Sequence, residues 1–287
     1  TPETVAGLIK AKKPTFVVGV PTLFEALNRN PLFQKSDLSC LKGAFSGADQ
    51  LPRPVKEKFE EIVRRQGGTV KLREGYGLTE AVTAIMAMPM TEYREGSVGI
   101  VFPDMLAKIV KQGTMEEAPA GEIGEICLHG PAVMLGYLEM PEETAETLKV
   151  HPDGKLWLHT GDLATMDEDG FVTVVDRIKD MIKTGGENVF SAEVENALAK
   201  HPAVAMSAVI AIPDPQWGEA VHAVVVLAPG QQVTAEEIIA HCKTLIAGYK
   251  SPRSVEFLDA LPMTGAGKIL KTKLREPFWK GRERGVA

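Results

Sequence analysis

Thr69-Val70-Lys71-Leu72-Arg73-Glu74-Gly75-Tyr76-Gly77-Leu78-Thr79-Glu80 passes from an apolar, β-branched run into a glycine-flanked tyrosine, a hydroxyl and a carboxylate. Residues 69–73 read as a short strand and the residues from Glu74 onward as the loop that follows it. Towards the start, Gly43-Ala44-Phe45-Ser46-Gly47 and Thr15-Phe16-Val17-Val18-Gly19-Val20 read as two more strands, the latter followed by Pro21 opening a helix. Between them and the first stretch, Val55, Phe59, Ile62 and Val63 recur at i, i+4, i+7 and i+8, one face of a helix that Gly67-Gly68 closes with a left-handed cap. Strands alternating with helices predict a mostly parallel sheet covered by helices.

Beyond residue 97 the texture changes. Ala107–Val110, Glu125–Leu128, Lys155–Leu158 and Phe171–Val175 are strand-like, punctuated by Gly121, Gly124, Asp153-Gly154 and Asp169-Gly170. They predict a small β-rich subdomain, with a barrel as one way to close it. A third region starts near Asp180. Ser191 is placed to cap a helix carrying Val194, Ala197 and Leu198, and Thr234-Ala235-Glu236-Glu237 is a capping box ahead of Ile238, Cys242, Leu245 and Ile246. Val204–Ile212, Val221–Leu227 and Ser254–Leu258 are its strands. The fold class is therefore α/β: a partial large domain over 1–178, with a parallel sheet, helices and the β-rich subdomain, then a small α+β carboxyl-terminal domain over 179–287.

The 287 residues are 44% hydrophobic and 24% charged, ordinary for a globular protein, and the net charge of -6 argues against a non-specific nucleic-acid surface. No apolar run reaches the roughly 18–20 residues that span a bilayer, and no basic-then-apolar leader is present. Cys40, Cys127 and Cys242 are too scattered for a zinc knuckle or a disulfide framework and read as buried small hydrophobes in a reducing, cytoplasmic compartment. The six histidines show no metal-ligand spacing, and there is neither a Ser-His-Asp set nor a Gly-x-Gly-x-x-Gly fingerprint. The first residue is not methionine and the first strand follows almost at once, so the sequence is expected to begin inside a domain.

Four stretches can carry chemistry. In Glu74–Glu80, glycines let backbone approach a flat ligand, Tyr76 can stack on it, and Thr79 with Glu80 suits a phosphate oxygen and a magnesium ion; the same pattern also fits a tight turn with an exposed acid. Thr160-Gly161-Asp162 closes a strand with a carboxylate able to accept from a ribose diol, or simply to cap backbone. Asp176-Arg177-Ile178-Lys179-Asp180-Met181-Ile182-Lys183-Thr184-Gly185-Gly186-Glu187-Asn188 reads as an exposed connector leading into a glycine turn. Pro262-Met263-Thr264-Gly265-Ala266-Gly267-Lys268 puts one lysine on a glycine loop, within reach of a developing negative charge or of solvent alone.

In this order and spacing the four stretches resemble the adenylate-forming superfamily of acyl-CoA synthetases, luciferases and peptide-synthetase adenylation domains, over essentially the whole chain. The resemblance implies the carboxyl-terminal portion of an acid–CoA ligase, acting on a fatty or other hydrophobic carboxylate with ATP/AMP, Mg2+ and coenzyme A. It implies that Gly47, Ala48, Gly75, Tyr76 and Gly77 form the adenine slot, that Thr79 meets the α-phosphate and that Glu80 holds magnesium. Asp162 and Arg177 would meet the ribose, Lys179 would be the hinge of a mobile small domain, and Lys268 would serve adenylation. Lys183, Gly185, Gly186, Glu187 and Asn188 would face the pantetheine arm. The partner expected is a small-molecule carboxylic acid, not nucleic acid; the sequence leaves a homo-oligomer open.

The superfamily's Ser/Thr/Gly-rich phosphate loop is absent. It is expected upstream of Thr1, so the stretch in hand is expected to be a fragment that does not adenylate efficiently by itself. Two other readings stand beside the ligase: a nucleotide- or acyl-binding module without catalysis, and an adenylating enzyme with a different acceptor.

Overall fold

The computed structural model describes residues 1–265, 267–281 and 284. Its contacts divide the chain into two compact units, Thr1–Thr160 with Ala164–Val174, and Gly161–Leu163 with Val175–Ala287.

The first unit opens with α1 (Pro2–Lys12), capped by the Thr1 hydroxyl, which accepts from the Thr4 N–H. Then come β1 (Phe16–Gly19), α2 (Pro21–Arg29), the short α3 (Pro31–Gln34), β2 (Gly43–Ser46), α4 (Arg53–Arg65) and β3 (Leu72–Tyr76). The first three strands pair in parallel, as the alternation predicts. Phe59, Ile62 and Val63 of α4 are buried, and Phe59 takes Phe24 edge to face at 5.1 Å and Phe33 stacked at 5.6 Å between ring centroids. The sheet then reverses direction through β4 (Met86–Ala87) and β5 (Ile100–Val101), both antiparallel additions.

The third strand is displaced from its expected place. It starts at Leu72 rather than Thr69 and includes Glu74, Gly75 and Tyr76 instead of ending before them. β2 pairs with Leu72–Glu74 and β4 with Gly75 and Tyr76, so the ladder extends through residues of poor strand propensity. Met86 lies in β4, and Met86 and Met88 serve as buried packing.

The β-rich part contains β6 (Leu106–Val110), β7 (Gly124–His129), α5 (Pro141–Thr147), β8 (Leu148–Val150), β9 (Leu156–Met166) and β10 (Val172–Arg177). Its sheet has the open order β10-β9-β7-β6, with β8 on β9, rather than the closed ring of a barrel. β9 runs on through Asp162, which is therefore a mid-strand residue and not a strand end.

The second unit continues with β11 (Ile182–Thr184), β12 (Glu187–Val189), α6 (Ser191–Leu198), β13 (Val204–Asp214), β14 (Gly218–Leu227), α7 (Ala235–Leu245), β15 (Ser254–Phe257) and α8 (Lys271–Trp279). β14 is central, antiparallel to β11 and β13 and parallel to β15. The capping box forms as read: Thr234 accepts from the Glu237 N–H, and the Glu237 carboxylate accepts from the Thr234 N–H.

Ser191 does not cap α6. It is the first helical residue, and its N–H and hydroxyl, with the N–H of Ala192, are turned to the carboxylate of Asp176. The cap thus comes from fifteen residues upstream, which local sequence cannot reveal. Asp176 is correspondingly buried, where an exposed connector was expected. Among the described residues no helix is long and apolar enough to cross a membrane.

Candidate functional site

In the first unit the two glycine stretches lie side by side at the carboxyl ends of parallel strands. Ser46 is level with Glu74, Gly47 donates to the Gly19 carbonyl at 3.0 Å, and the space beside Gly47 is bounded by the Gly75 carbonyl. Carboxyl ends of parallel strands are where open α/β sheets take their ligands, because the loops there are free to diverge. Tyr76 is half-buried against the neighbouring core cluster, and Ala48 is exposed.

Gly77 answers to a different need from the one its sequence context suggests. A Cβ there would fall 1.4 Å from the Thr83 carbonyl oxygen, so the close approach it permits is of the chain's own next turn. That turn is strained, with Val82 and Thr83 at φ of 53° and 75°, and in the loop after β2 Ala48 takes 72°. Left-handed non-glycine residues are uncommon, and here one follows β2 and two follow β3, in the adjoining loops.

Thr79 opens a single 3-10 turn over Thr79–Ala81 and is exposed, while Glu80 is half-buried beside it. The Glu80 carboxylate accepts from the Tyr137 hydroxyl at 2.8 Å, and its backbone carbonyl accepts from the Met134 N–H at 2.7 Å. The 134–137 segment therefore holds the acid in place. Burial, then the bond to Glu80, pushes the Tyr137 phenol above its ordinary value. Nothing in the sequence marks Tyr137 for this task; its partner lies 57 positions away.

Glu74 is a second acid at this strand end. Burial pushes its carboxyl from 4.5 up to about 7, opposed by the Lys56 ammonium. Its folded pKa is raised, so its contribution to stability is fully present below about pH 4.5 and lost as pH rises through 7. Urea unfolding between pH 5 and pH 8 is expected to show a loss on the order of 2 kcal/mol that Glu74→Gln abolishes. An unchanged pH slope in the variant contradicts this.

In the second unit Asp162 and Arg177 are brought together: Arg177 Nε lies 2.9 Å from Asp162 Oδ1, and the Ile178 N–H donates to the Gly161 carbonyl. Asp162 is buried, and the arginine side chain is 42% exposed, so the pair presents its charged edge outward. Lys179 is exposed in the turn that follows, and its carbonyl accepts from Arg275 at 2.6 Å and from Arg284. Arg275 also meets Asp180 at 3.0 Å.

β11 and β12 form a hairpin whose two central residues are Gly185 and Gly186, with φ of 61° and 86°. Both values are positive, as a two-residue turn matching strand twist demands. Lys183, Gly185, Gly186, Glu187 and Asn188 are all exposed on it. Its tip rests on Trp217, whose carbonyl accepts from the Gly185 N–H at 2.9 Å and whose ring lies under the Arg253 guanidinium at 4.7 Å. Trp217 and Arg253 gave no signal in the sequence. Lys268 lies on a loop closed by the Thr264 N–H to Lys268 carbonyl bond at 2.8 Å; its side chain is exposed and has no ion-pair partner among the described residues. Ala266 of that loop lies outside the described residues.

Comparison with known proteins adds to this geometry. A family model described as AMP-binding enzyme matches residues 1–138, and one described as AMP-binding enzyme C-terminal domain matches residues 193–268. A feruloyl-CoA synthase of Amycolatopsis sp is 42% identical over 280 residues, 96% of this chain and 54% of that protein. A long-chain-fatty-acid–CoA ligase of Bacillus subtilis is 43% identical over 270 residues, 94% of this chain and 46% of that protein. Among solved structures, ATP-bound MatB from Rhodopseudomonas palustris superposes with a TM-score of 0.87 at 32% identity, covering 99% of this chain and 54% of its own. The amide bond synthetase McbA from Marinactinospora thermotolerans gives 0.84 at 34%, covering 97% and 55%. The chain thus spans about half the length of the relatives it matches.

Proposed function

The chain belongs to the AMP-binding enzyme family of adenylate-forming acyl-CoA synthetases, and from that premise we propose that its protein is an acid–CoA ligase for a fatty or other hydrophobic carboxylate. The observation that carries the reading is the pairing of Gly47-Ala48 with Gly75–Glu80 at the carboxyl ends of β2 and β3.

In this reading the substrate carboxylate attacks the α-phosphorus of ATP, pyrophosphate leaves, and the coenzyme A thiol then displaces AMP. Gly47, Ala48 and Gly75–Gly77 border the adenine, with Tyr76 against the base, and Thr79 meets the α-phosphate. The Glu80 carboxylate and Thr79 hydroxyl are hard oxygen donors, so the residues present fit a magnesium ion. Bound there, magnesium offsets phosphate charge. Asp162, oriented by Arg177, accepts from the ribose hydroxyls. Lys268 serves adenylation, offsetting the negative charge that develops there. Residues 1–178 are then the carboxyl-terminal part of the large domain and 179–287 a small mobile domain turning at Lys179. The exposed hairpin with Lys183, Gly185, Gly186, Glu187 and Asn188 meets the pantetheine arm. The reading places the protein in the cytoplasm, supported by three free cysteines.

The test is carboxylate-dependent ATP–pyrophosphate exchange by the full-length protein over aliphatic and aromatic acids, followed by AMP release on adding coenzyme A. Exchange and thiol-dependent release are expected. AMP binding without exchange makes it a binding module, and exchange without a response to the thiol assigns a different acceptor.

A further inference from the structure

One cluster of ionisable side chains takes no part in the proposed chemistry. Cys127 of β7, His151 in the turn after β8 and His159 of β9 are brought together in the β-rich sheet of the first unit, all three buried. One potential ligand atom from each lies within 4.8 Å of the others. His151 and His159 face each other through Nε2 at 2.9 Å. The Glu125 carboxylate lies 2.8 Å from His159 Nδ1. A carboxylate there accepts, so Nδ1 carries the proton and the Nε2 of His159 is left as a lone pair.

His151 is buried, and its Nδ1 has no hydrogen-bond partner among the described residues. That nitrogen is the unsatisfied acceptor left when Nε2–H is turned to His159, and it is free to take up the proton when Nε2 is needed elsewhere. Its position is nonetheless well fixed. The Gly154 N–H donates to the His151 carbonyl at 2.9 Å, and Asp153 braces the turn by accepting from the Lys155 N–H and the Trp157 indole, each at 3.0 Å. The Trp157 ring also forms a wall, its centroid 5.8 Å from that of His151. In the contact between the two rings the His151 Nε2–H donates to the bare Nε2 of His159, so both Nε2 atoms point into the one space between them.

We propose that Cys127, His151 and His159 form a binding site for a divalent borderline metal ion of the zinc class, with Glu125 as the carboxylate behind His159. Thiolate and imidazole are the ligands such an ion selects, and the carboxylate–histidine arrangement is what orients an imidazole towards a metal. Metal–nitrogen bonds of about 2.0–2.1 Å in a tetrahedron set the two Nε2 atoms about 3.3 Å apart, so the facing rings open by a few tenths of an ångström. Metal binding replaces the Cys127 S–H bond by S–metal and releases that proton to solvent, while the His151 proton passes from Nε2 to Nδ1 and frees Nε2 as a ligand. One dication, one thiolate and the Glu125 carboxylate then sum to zero charge, the balance a buried site needs. Of the cations in this neighbourhood, Lys108 lies 3.6 Å from Asp153, and Lys149 is the other. Sequence spacing could not show the site, because its ligands come from two strands and a turn.

The full-length, tag-free protein, stripped of metal by chelation, is titrated with Co2+ and then Zn2+. One equivalent of Co2+ is expected to bring up a thiolate-to-cobalt charge-transfer band with tetrahedral d–d absorption, and Zn2+ to displace it. Cys127→Ala is expected to abolish the charge-transfer band, and Glu125→Gln to weaken Zn2+ binding about 10- to 100-fold. Absence of the band in the wild-type protein overturns the proposal without reference to any variant. So does its persistence in Cys127→Ala protein that melts like the wild type.

Discussion

Replacing Lys268 by alanine is expected to lower carboxylate-dependent ATP–pyrophosphate exchange about 10²- to 10³-fold, the usual loss when one charge-stabilising donor is removed from a developing negative charge. Thioester formation from a supplied acyl-adenylate is expected to survive. The split follows from the setting of this lysine. Its backbone is fixed by the Thr264 N–H to Lys268 carbonyl bond at 2.8 Å, the Gly267 N–H to Thr264 carbonyl bond at 2.9 Å and a bridge between Met263 and Ile269. Its side chain is exposed and takes no part in holding the fold, so truncation removes a charge and little else. Lys268→Arg is not expected to restore exchange, because a planar fork on the same loop does not reproduce a compact ammonium. Both half-reactions are measured on one preparation. Equal loss in both indicates a structural role, and unchanged exchange removes Lys268 from the chemistry.

Much of this arrangement was legible in the sequence, for identifiable reasons. The helix over Val55–Val63 announced itself by periodicity, and the capping box at Thr234 by two residues three positions apart, because both are local devices. The glycine stretches were legible because two glycines flank a tyrosine just after a β-branched run. What escaped was long-range. The start of β3 is set by its neighbours on both sides, not by its own residues. The cap of α6 comes from Asp176, the brace of Glu80 from Tyr137, and the support of the hairpin tip from Trp217. Gly77 was read as making room for a ligand, and the room is taken by Thr83. α8 had no clear pattern of its own: Leu274 and Trp279 pack on the core, and buried charges to distant acids add to the fastening.

That fastening can be broken at one residue. Lys271 reaches Glu195 at 2.7 Å and the Ser191 hydroxyl at 2.8 Å, with side-chain exposures of only 17% and 22% for the lysine and glutamate. Glu195 also accepts from the Val209 N–H at 2.7 Å, and Asp176 lies on the same serine. Burial raises both carboxyls, and Lys271 is the chief charge opposing it. Burial alone lowers the Lys271 ammonium, but Glu195, Asp180 and Asp176 outweigh it and leave it raised. A carboxyl with a raised folded pKa contributes stability that is full below its unfolded value near 4 and lost as pH climbs through the folded one. The lysine limits that loss as long as it stays charged. Lys271→Met keeps the length and removes the charge, so the folded carboxyls rise further and the loss deepens. The variant is expected to be destabilised by on the order of 3 kcal/mol at pH 8 and by less at pH 5, nearer the range in which carboxyls take up protons. Adding Glu195→Gln is expected to recover part of the loss at pH 8, since contacting residues are not additive. Urea unfolding of the single and double variants at both pH values measures this. Equal destabilisation at pH 5 and pH 8 assigns to Lys271 a packing role instead.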